Sequence, residues 1–125
     1  YYMPLKFATV PLLSLLLVAC QGEGDGSGIA SLETASRSLQ PADTALAETY
    51  NRSCRSCHTV AATGAPLTGD AKAWAERYEK GMGTLVDNVI NGYGGMPALG
   101  LCMDCSADQF EALIDFMATS PEASP

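Results

Sequence analysis

Apolar residues recur at helical spacing along the second half of the chain. The clearest stripe follows Ser106 and Gln109, which have capping-box spacing, and its members lie at i, i+3, i+4 and i+7: Phe110, Leu113, Ile114 and Met117. A second stripe begins after Thr84 and is broken at Gly92: Leu85, Val86, Val89 and Ile90. No run of alternating apolar and polar residues predicts a strand, and there is no internal repeat. The pattern predicts an all-α chain.

Two further helices are predicted from their caps. Asp43 can cap a first helix that carries Leu46 and Tyr50 one turn apart on its inner face. Asp70 can cap another helix that ends at Gly81 and contains Ala73, Trp74, Arg77 and Tyr78. The segment Ala65-Pro66-Leu67-Thr68-Gly69 is the predicted loop before this helix.

The N-terminal region is typical of an export signal. Lys6 precedes an apolar run, Val10–Ala19, that is too short to span a bilayer. The run ends in Leu17-Val18-Ala19-Cys20, which resembles the bacterial lipoprotein box, where the cysteine is lipid-modified and becomes the first mature residue. We therefore predict a lipoprotein-type signal peptide over residues 1–19 and lipidation of Cys20. An ordinary signal peptide with an incidental cysteine is the alternative.

A flexible linker is predicted to follow the anchor over residues 20–42. Its segment Gly22–Gly28 is polar and glycine-rich, and about 22 flexible residues would reach roughly 25 Å. The folded domain is predicted over residues 43–120, with a polar tail over 121–125. A domain of about 80 residues is small for a self-sufficient core, so a buried cofactor would supply part of the apolar volume.

The chain is acidic, with 14 Asp and Glu against 7 Lys and Arg and a formal net charge of −7. This charge argues against nucleic-acid binding. It would steer the protein toward basic patches on partner proteins, although solubility alone also accounts for it.

The segment Cys54-Arg55-Ser56-Cys57-His58 has the C-x-x-C-H pattern of covalent haem c attachment. Two thiols on one helical turn can each add to a porphyrin vinyl group, and His58, the sole histidine of the chain, can then ligate the iron. A thioredoxin-like redox pair is an alternative, but the sequence lacks the strands that it needs. A zinc site formed with Cys102 and Cys105 is another alternative, which would leave His58 without a role.

The second axial ligand is predicted to be Met96, because no other histidine is available and a thioether is a soft, neutral donor. Met96 lies in Gly92-Tyr93-Gly94-Gly95-Met96-Pro97, where Gly94 and Gly95 let the backbone approach a flat cofactor and Pro97 restricts the chain. Packing of Met96 against the ring edge is the alternative. The other methionines after the signal are assigned to the core, to the surface or to a cysteine-flanked loop: Met82, Met103 and Met117.

The segment from about Tyr50 to Met117 resembles cytochrome c5, a family of small bacterial class I c-type cytochromes. The matching motifs occur in this order: Cys54-x-x-Cys57-His58, Gly64-Ala65-Pro66, Thr68-Gly69-Asp70, Trp74-x-x-Arg77, Gly81-Met82, Ile90-Asn91-Gly92, Met96-Pro97 and Cys102-x-x-Cys105-Ser106. Ala98 departs from the pattern, because the family often has a second proline there.

The resemblance implies a class I cytochrome c fold, with three to five helices around one covalently attached haem. The first and last helices would cross, so that Leu46 and Tyr50 meet Phe110, Leu113 or Ile114. The Pro66 carbonyl would accept the Nδ1 hydrogen of His58, as partners of metal ligands do. Trp74 and Arg77 share a helix face and would contact a haem propionate; core packing and surface exposure are the alternatives.

The resemblance also implies a disulfide between Cys102 and Cys105. A second haem site is excluded there because Ser106 stands where a histidine is required. A reactive dithiol is the alternative.

The function expected from these features is electron transfer rather than catalysis. A low-spin haem c with His58 and Met96 as ligands would carry single electrons from a quinol-oxidising complex to a terminal oxidase or reductase. The protein would lie on the periplasmic face of a bacterial membrane, held by its lipid anchor, with no small-molecule substrate. The alternatives are a haem peroxidase or gas sensor with a displaceable Met96, and an electron-entry subunit of a larger oxidoreductase.

Overall fold

A computed structural model describes residues 26–119 of the chain. The predicted signal peptide, Cys20 and the tail 121–125 lie outside the described residues. None of the helices in the described part has both the length and the apolar character needed to cross a membrane.

The structure is helical, and its described residues contain no strand. The α-helices are α1 (Gly26–Ser38), α2 (Thr44–Thr49), α3 (Arg55–His58), α4 (Ala71–Tyr78), α5 (Met82–Asn91) and α6 (Ala107–Ala118). A π-helical turn, Tyr50–Cys54, joins α2 to α3, and two short 3-10 helices are formed by Ala61–Thr63 and Ala98–Leu101. The all-α prediction is confirmed.

The predicted helix caps are present. The Asp43 side chain accepts a hydrogen bond from the amide of Leu46 at 2.8 Å, and the Asp70 side chain accepts one from Ala73 at 3.1 Å. Ser106 and Gln109 form the complete capping box of α6. These side chains accept from amides that the first turn of a helix leaves unpaired, which is why local sequence predicts them.

The predicted third helix begins earlier than expected, at Met82 rather than Thr84. The carbonyl of Gly81 already accepts from the amides of Thr84 and Leu85, so the first turn includes Met82 and Gly83. Gly92, with φ of 83°, ends the helix as predicted.

The core forms where the α2–α3 segment crosses α6. Tyr50 is fully buried and its ring meets Phe116 edge-on, with 5.0 Å between centroids. The Tyr50 hydroxyl is hydrogen-bonded to the Thr68 hydroxyl at 2.9 Å, which satisfies both polar groups inside the core. All four members of the predicted α6 stripe are buried in the same cluster: Phe110, Leu113, Ile114 and Met117. The predicted crossing of the first and last domain helices is confirmed, although the ring that meets Tyr50 belongs to Phe116, which was not among the predicted partners.

The flexible-linker prediction does not hold for Gly26–Ser38, because these residues form α1. Ser36 is fully buried and its hydroxyl donates to the carbonyl of His58 at 3.0 Å. The Glu33 carboxylate accepts from the amide of Ala61 at 3.1 Å. These contacts reach the last residue of α3 and the first residue of the 3-10 helix that follows it, so α1 docks by polar contacts. An analysis based on apolar stripes and glycine content has no signal for such a contact.

Candidate functional site

The predicted site residues line a single cavity of about 490 Å³. Its wall includes every haem-site residue singled out in the sequence: Cys54, Cys57, His58, Pro66, Trp74, Arg77, Gly95 and Met96. The remaining wall is mainly apolar and includes core residues of α6, among them Phe110, Leu113 and Met117. The sequence assigned these α6 residues to the core alone, but they also border the cavity.

His58 is buried and held from two sides by the loop that follows it. Its Nδ1 lies 2.8 Å from the carbonyl oxygen of Pro66, and its own carbonyl accepts from the amide of Thr68 at 2.7 Å. Because a carbonyl can only accept, Nδ1 carries the proton and Nε2 keeps a free lone pair. Burial lowers the pKa of His58, although the Pro66 bond opposes the shift. The lowered pKa favours the neutral imidazole that a metal ligand must be.

Cys54 and Cys57 are free, half-buried thiols on the same helical segment as His58. Burial raises the pKa of the Cys54 thiol to about 11. Both sulfur-bearing residues border the cavity together with His58. The three side chains thus present two thiols and one imidazole to one enclosed space.

Trp74 contacts His58 rather than offering its N–H to the cavity. The two rings are stacked, with 5.8 Å between centroids and 27° between planes. The indole N–H donates to the carbonyl of Leu67 at 2.9 Å, so the expectation that it would reach a propionate is not met in this structure. The Leu67 carbonyl is a local acceptor that sequence spacing does not reveal. Trp74 instead supports the imidazole with the face of its ring.

Arg77 is half-buried, lines the cavity and donates to the carbonyl of Ala73 at 2.6 Å. Among the described residues it has no carboxylate within salt-bridge distance. Its guanidinium is one of two positive groups at the cavity wall, with Lys80, that an acidic edge of a cofactor could meet. The propionate contact of Arg77 stays a prediction.

The segment around Met96 is a tight turn. Tyr93 and Met96 exchange two backbone hydrogen bonds, of 3.0 and 2.9 Å. Gly92 stands directly beneath this turn: a Cβ atom there would lie 3.0 Å from the Met96 carbonyl oxygen and 3.0 Å from the amide nitrogen of Ala98. The sequence indicated a glycine-rich approach to Met96, but not that Gly92 is the glycine that touches it.

The loop after Met96 is closed by the Cys102–Cys105 disulfide that the resemblance implies. Arg52, two residues before Cys54, bonds both carboxylate oxygens of Asp104 at 2.8 and 3.0 Å. The sequence did not indicate this link between the two halves of the site, because Arg52 and Asp104 are remote in sequence.

The four-cysteine zinc site is not formed, because Cys102 and Cys105 are joined in a disulfide. The described residues contain no cluster of three or more His, Cys, Asp or Glu suited to a metal ion.

The residues present fit a covalently attached haem. The cavity lies within the range of 300–1,000 Å³ typical of cofactor sites, and its lining is mainly apolar. Two thiols, a neutral imidazole with a free Nε2 and a thioether border it together. This donor set is the one that haem c requires.

Comparisons with known proteins agree with this fit. The family model described as "Cytochrome C oxidase, cbb3-type, subunit III" matches residues 41–117. Cytochrome c-555 of Chlorobaculum tepidum is 50% identical over 56 residues, which cover 42% of this chain and 52% of that protein. Cytochrome c5 of Ectopseudomonas mendocina is 37% identical over 52% of this chain and 77% of its own length. Cytochrome c5 of Azotobacter vinelandii is 36% identical, over 52% and 81% respectively.

Proposed function

The chain belongs to the cytochrome c5-like family of class I monohaem c-type cytochromes, and on that premise we propose that it is a one-electron carrier. We assign thioether attachment to Cys54 and Cys57, and axial ligation to His58 and Met96. The observation that carries the proposal is the single cavity that these four residues line. When bound, the haem supplies one-electron redox chemistry between ferric and ferrous iron.

The protein's own residues hold His58 in place and give the cavity an apolar wall. The Pro66 carbonyl fixes the tautomer and orientation of His58, and the stacked Trp74 ring supports it. Apolar side chains of α5 and α6 line the cavity, including Leu85 and Leu113, and would shield a bound haem from water. Such a site changes little when an electron arrives or leaves, which suits a carrier.

The residues do not favour a peroxidase. The sole histidine of the chain lies on the attachment side with its Nδ1 bonded to Pro66, so no second imidazole is available as a distal acid or base.

An electron-entry subunit of a larger oxidoreductase is a second candidate, favoured by the matched family description, which names an oxidase subunit. Pull-down from detergent-solubilised membranes separates a stable subunit from a free shuttle.

We further assign lipidation to Cys20, which would tether the domain to a bacterial membrane on its periplasmic face. The lipoprotein-box resemblance of Leu17-Val18-Ala19-Cys20 supports this assignment. The proposed partners are a quinol-oxidising complex as donor and a terminal oxidase or reductase as acceptor. The net charge of −7 favours basic docking patches on both.

A pyridine haemochrome spectrum combined with the intact mass tests the cofactor and the anchor together. We expect one covalent haem per chain and an intact mass that corresponds to a chain beginning at lipidated Cys20. A protein without covalent haem, or one that contains zinc instead, would contradict the cofactor assignment. A haem protein whose mass shows no lipid would contradict only the anchor.

Replacing Arg77 with alanine is expected to lower the reduction potential by on the order of tens of millivolts, because a nearby cation favours the less positive ferrous form. The matched control is Lys72→Ala, which removes the same charge from an exposed position on the same helix. Potentiometric titration of both variants is the measurement. Equal potentials for Arg77→Ala and the unsubstituted protein would show that Arg77 does not act on the haem.

A further inference from the structure

A second open groove, of about 340 Å³, lies between α1 and the segment that carries the cysteines. Arg37 of α1 and Arg55 of α3 both line it, and the rest of its lining is Asn51, Ser56, Thr59 and Val60. Arg55 and Ser56 are the two residues between the haem cysteines. Because α1 precedes residue 41, where the family match begins, the wall that Arg37 contributes lies outside the matched family domain.

The groove carries an uncompensated positive charge. Arg37 is paired with Glu33, one turn away on α1. Arg55 donates from Nη2 to the backbone carbonyl of Arg37 at 2.6 Å, which holds the guanidinium in place without neutralising it. No carboxylate of the described residues lies within 4.0 Å of Arg55. The charge of Arg55 is therefore available to an anion from outside the chain.

The hydrogen-bonding capacity of Arg55 is also incompletely used. Its Nε is buried and has no hydrogen-bond partner among the described residues, and an unsatisfied buried donor costs free energy. The neighbouring Ser56 hydroxyl is exposed, and its contact in the structure is a weak one to the Cys57 sulfur at 3.9 Å. The side-chain amide of Asn51 donates one hydrogen to Gln40 and has a second hydrogen to donate. The groove thus combines a guanidinium with hydroxyl and amide donors.

We propose that this groove binds a phosphate group, through Arg55 with support from Ser56 and Asn51. Guanidinium, hydroxyl and amide donors are the groups that proteins place on phosphate oxygens, and a phosphate has more acceptor oxygens for several donors than a carboxylate has. The phosphate comes either from solution or from the phosphodiester of a lipid headgroup. In the second case the bound headgroup fixes how the domain faces the membrane.

Calorimetric titration of the haem-loaded protein at constant ionic strength tests the proposal. One series uses inorganic phosphate and the other uses glycerophosphoglycerol, a lipid headgroup without acyl chains. Arg55→Gln is expected to weaken binding about tenfold or more, since it removes a charge-assisted pair of hydrogen bonds. Ser56→Ala, at an exposed position, is expected to weaken binding a few-fold and serves if Arg55→Gln fails to fold. Lys72→Gln, which removes the same charge from exposed α4, is expected to leave the affinity within about twofold.

Binding that depends on Arg55 or Ser56 but not on Lys72 supports the site, and the tighter of the two ligands identifies the source of the phosphate. Absence of binding in both series would overturn the proposal. Equal weakening by the Arg55 and Lys72 substitutions would also overturn the proposal, because the loss of one positive charge anywhere on the protein would then explain the weaker binding. Neither result depends on whether the haem carries electrons, so the proposed function is tested separately.

Discussion

Replacing Met96 with histidine is expected to lower the reduction potential by roughly a quarter to a half of the ~0.8 V range that axial ligands span. The potential changes because the substitution replaces a sulfur ligand of the iron with a nitrogen ligand. A neutral thioether stabilises ferrous iron, whereas an imidazole is more basic and stabilises ferric iron. The half-buried Met96 lies in the cavity wall on a turn held by two backbone hydrogen bonds to Tyr93, so a side chain of similar length can occupy the same direction.

Potentiometric titration and the ferric absorption band that marks iron-bound methionine measure this effect. Met103→His is the matched control, because Met103 is 78% exposed and lies between the disulfide cysteines. We expect the band to disappear in Met96→His and in Met96→Ala, and to persist in Met103→His. A Met96→His protein that keeps both the band and the original potential would exclude Met96 as the ligand.

Replacing Gly92 with alanine is expected to destabilise the fold by about 3 kcal/mol and to loosen Met96 at the same time. Gly92 has φ of 83° and ψ of 153°, a region that is essentially restricted to glycine and costs other residues about 1–3 kcal/mol. The new Cβ would also press on the Met96 carbonyl oxygen and the Ala98 amide, each 3.0 Å away. Relief of that contact requires the Met96 turn to move.

Gly81→Ala separates these two causes. Gly81 has nearly the same backbone conformation, with φ of 83° and ψ of 148°, but a Cβ there meets nothing within 4 Å. Both variants should lose stability in denaturant titration, while only Gly92→Ala should weaken the methionine absorption band. Equal bands in the two variants would mean that Gly92 supports the backbone without positioning Met96.

Local sequence predicted the helices because their signals are local. Asp43, Asp70 and Ser106 cap the amides immediately after them, and the α6 stripe repeats at the helical period. The attachment motif is equally local. Met96 and Pro66 could be named because the sequence offers few soft donors and because the chain resembles a known family.

The remaining features depend on contacts between distant segments. The indole N–H of Trp74 is taken by the Leu67 carbonyl, and Arg52 meets Asp104 across the site. Neither partner is indicated by spacing or composition. α1 was missed for a related reason: its docking depends on the buried polar Ser36, while Ile29 and Leu32 are 48% and 42% exposed. A buried hydroxyl leaves no hydrophobic pattern.

The docked helix α1 changes how the domain would move if Cys20 is the anchor. The five residues 21–25 separate Cys20 from α1 and can span at most about 20 Å in any conformation. Contacts from Ser36 and Glu33 fix α1 to the segment that carries His58. A flexible linker over all of residues 20–42 would let the domain move away from the membrane surface. The haem domain, with α1 docked on it, would instead stay close to the bilayer and rotate about the short tether 21–25. Such restricted rotation would favour partners whose redox centres stand near the same membrane, at a high local concentration.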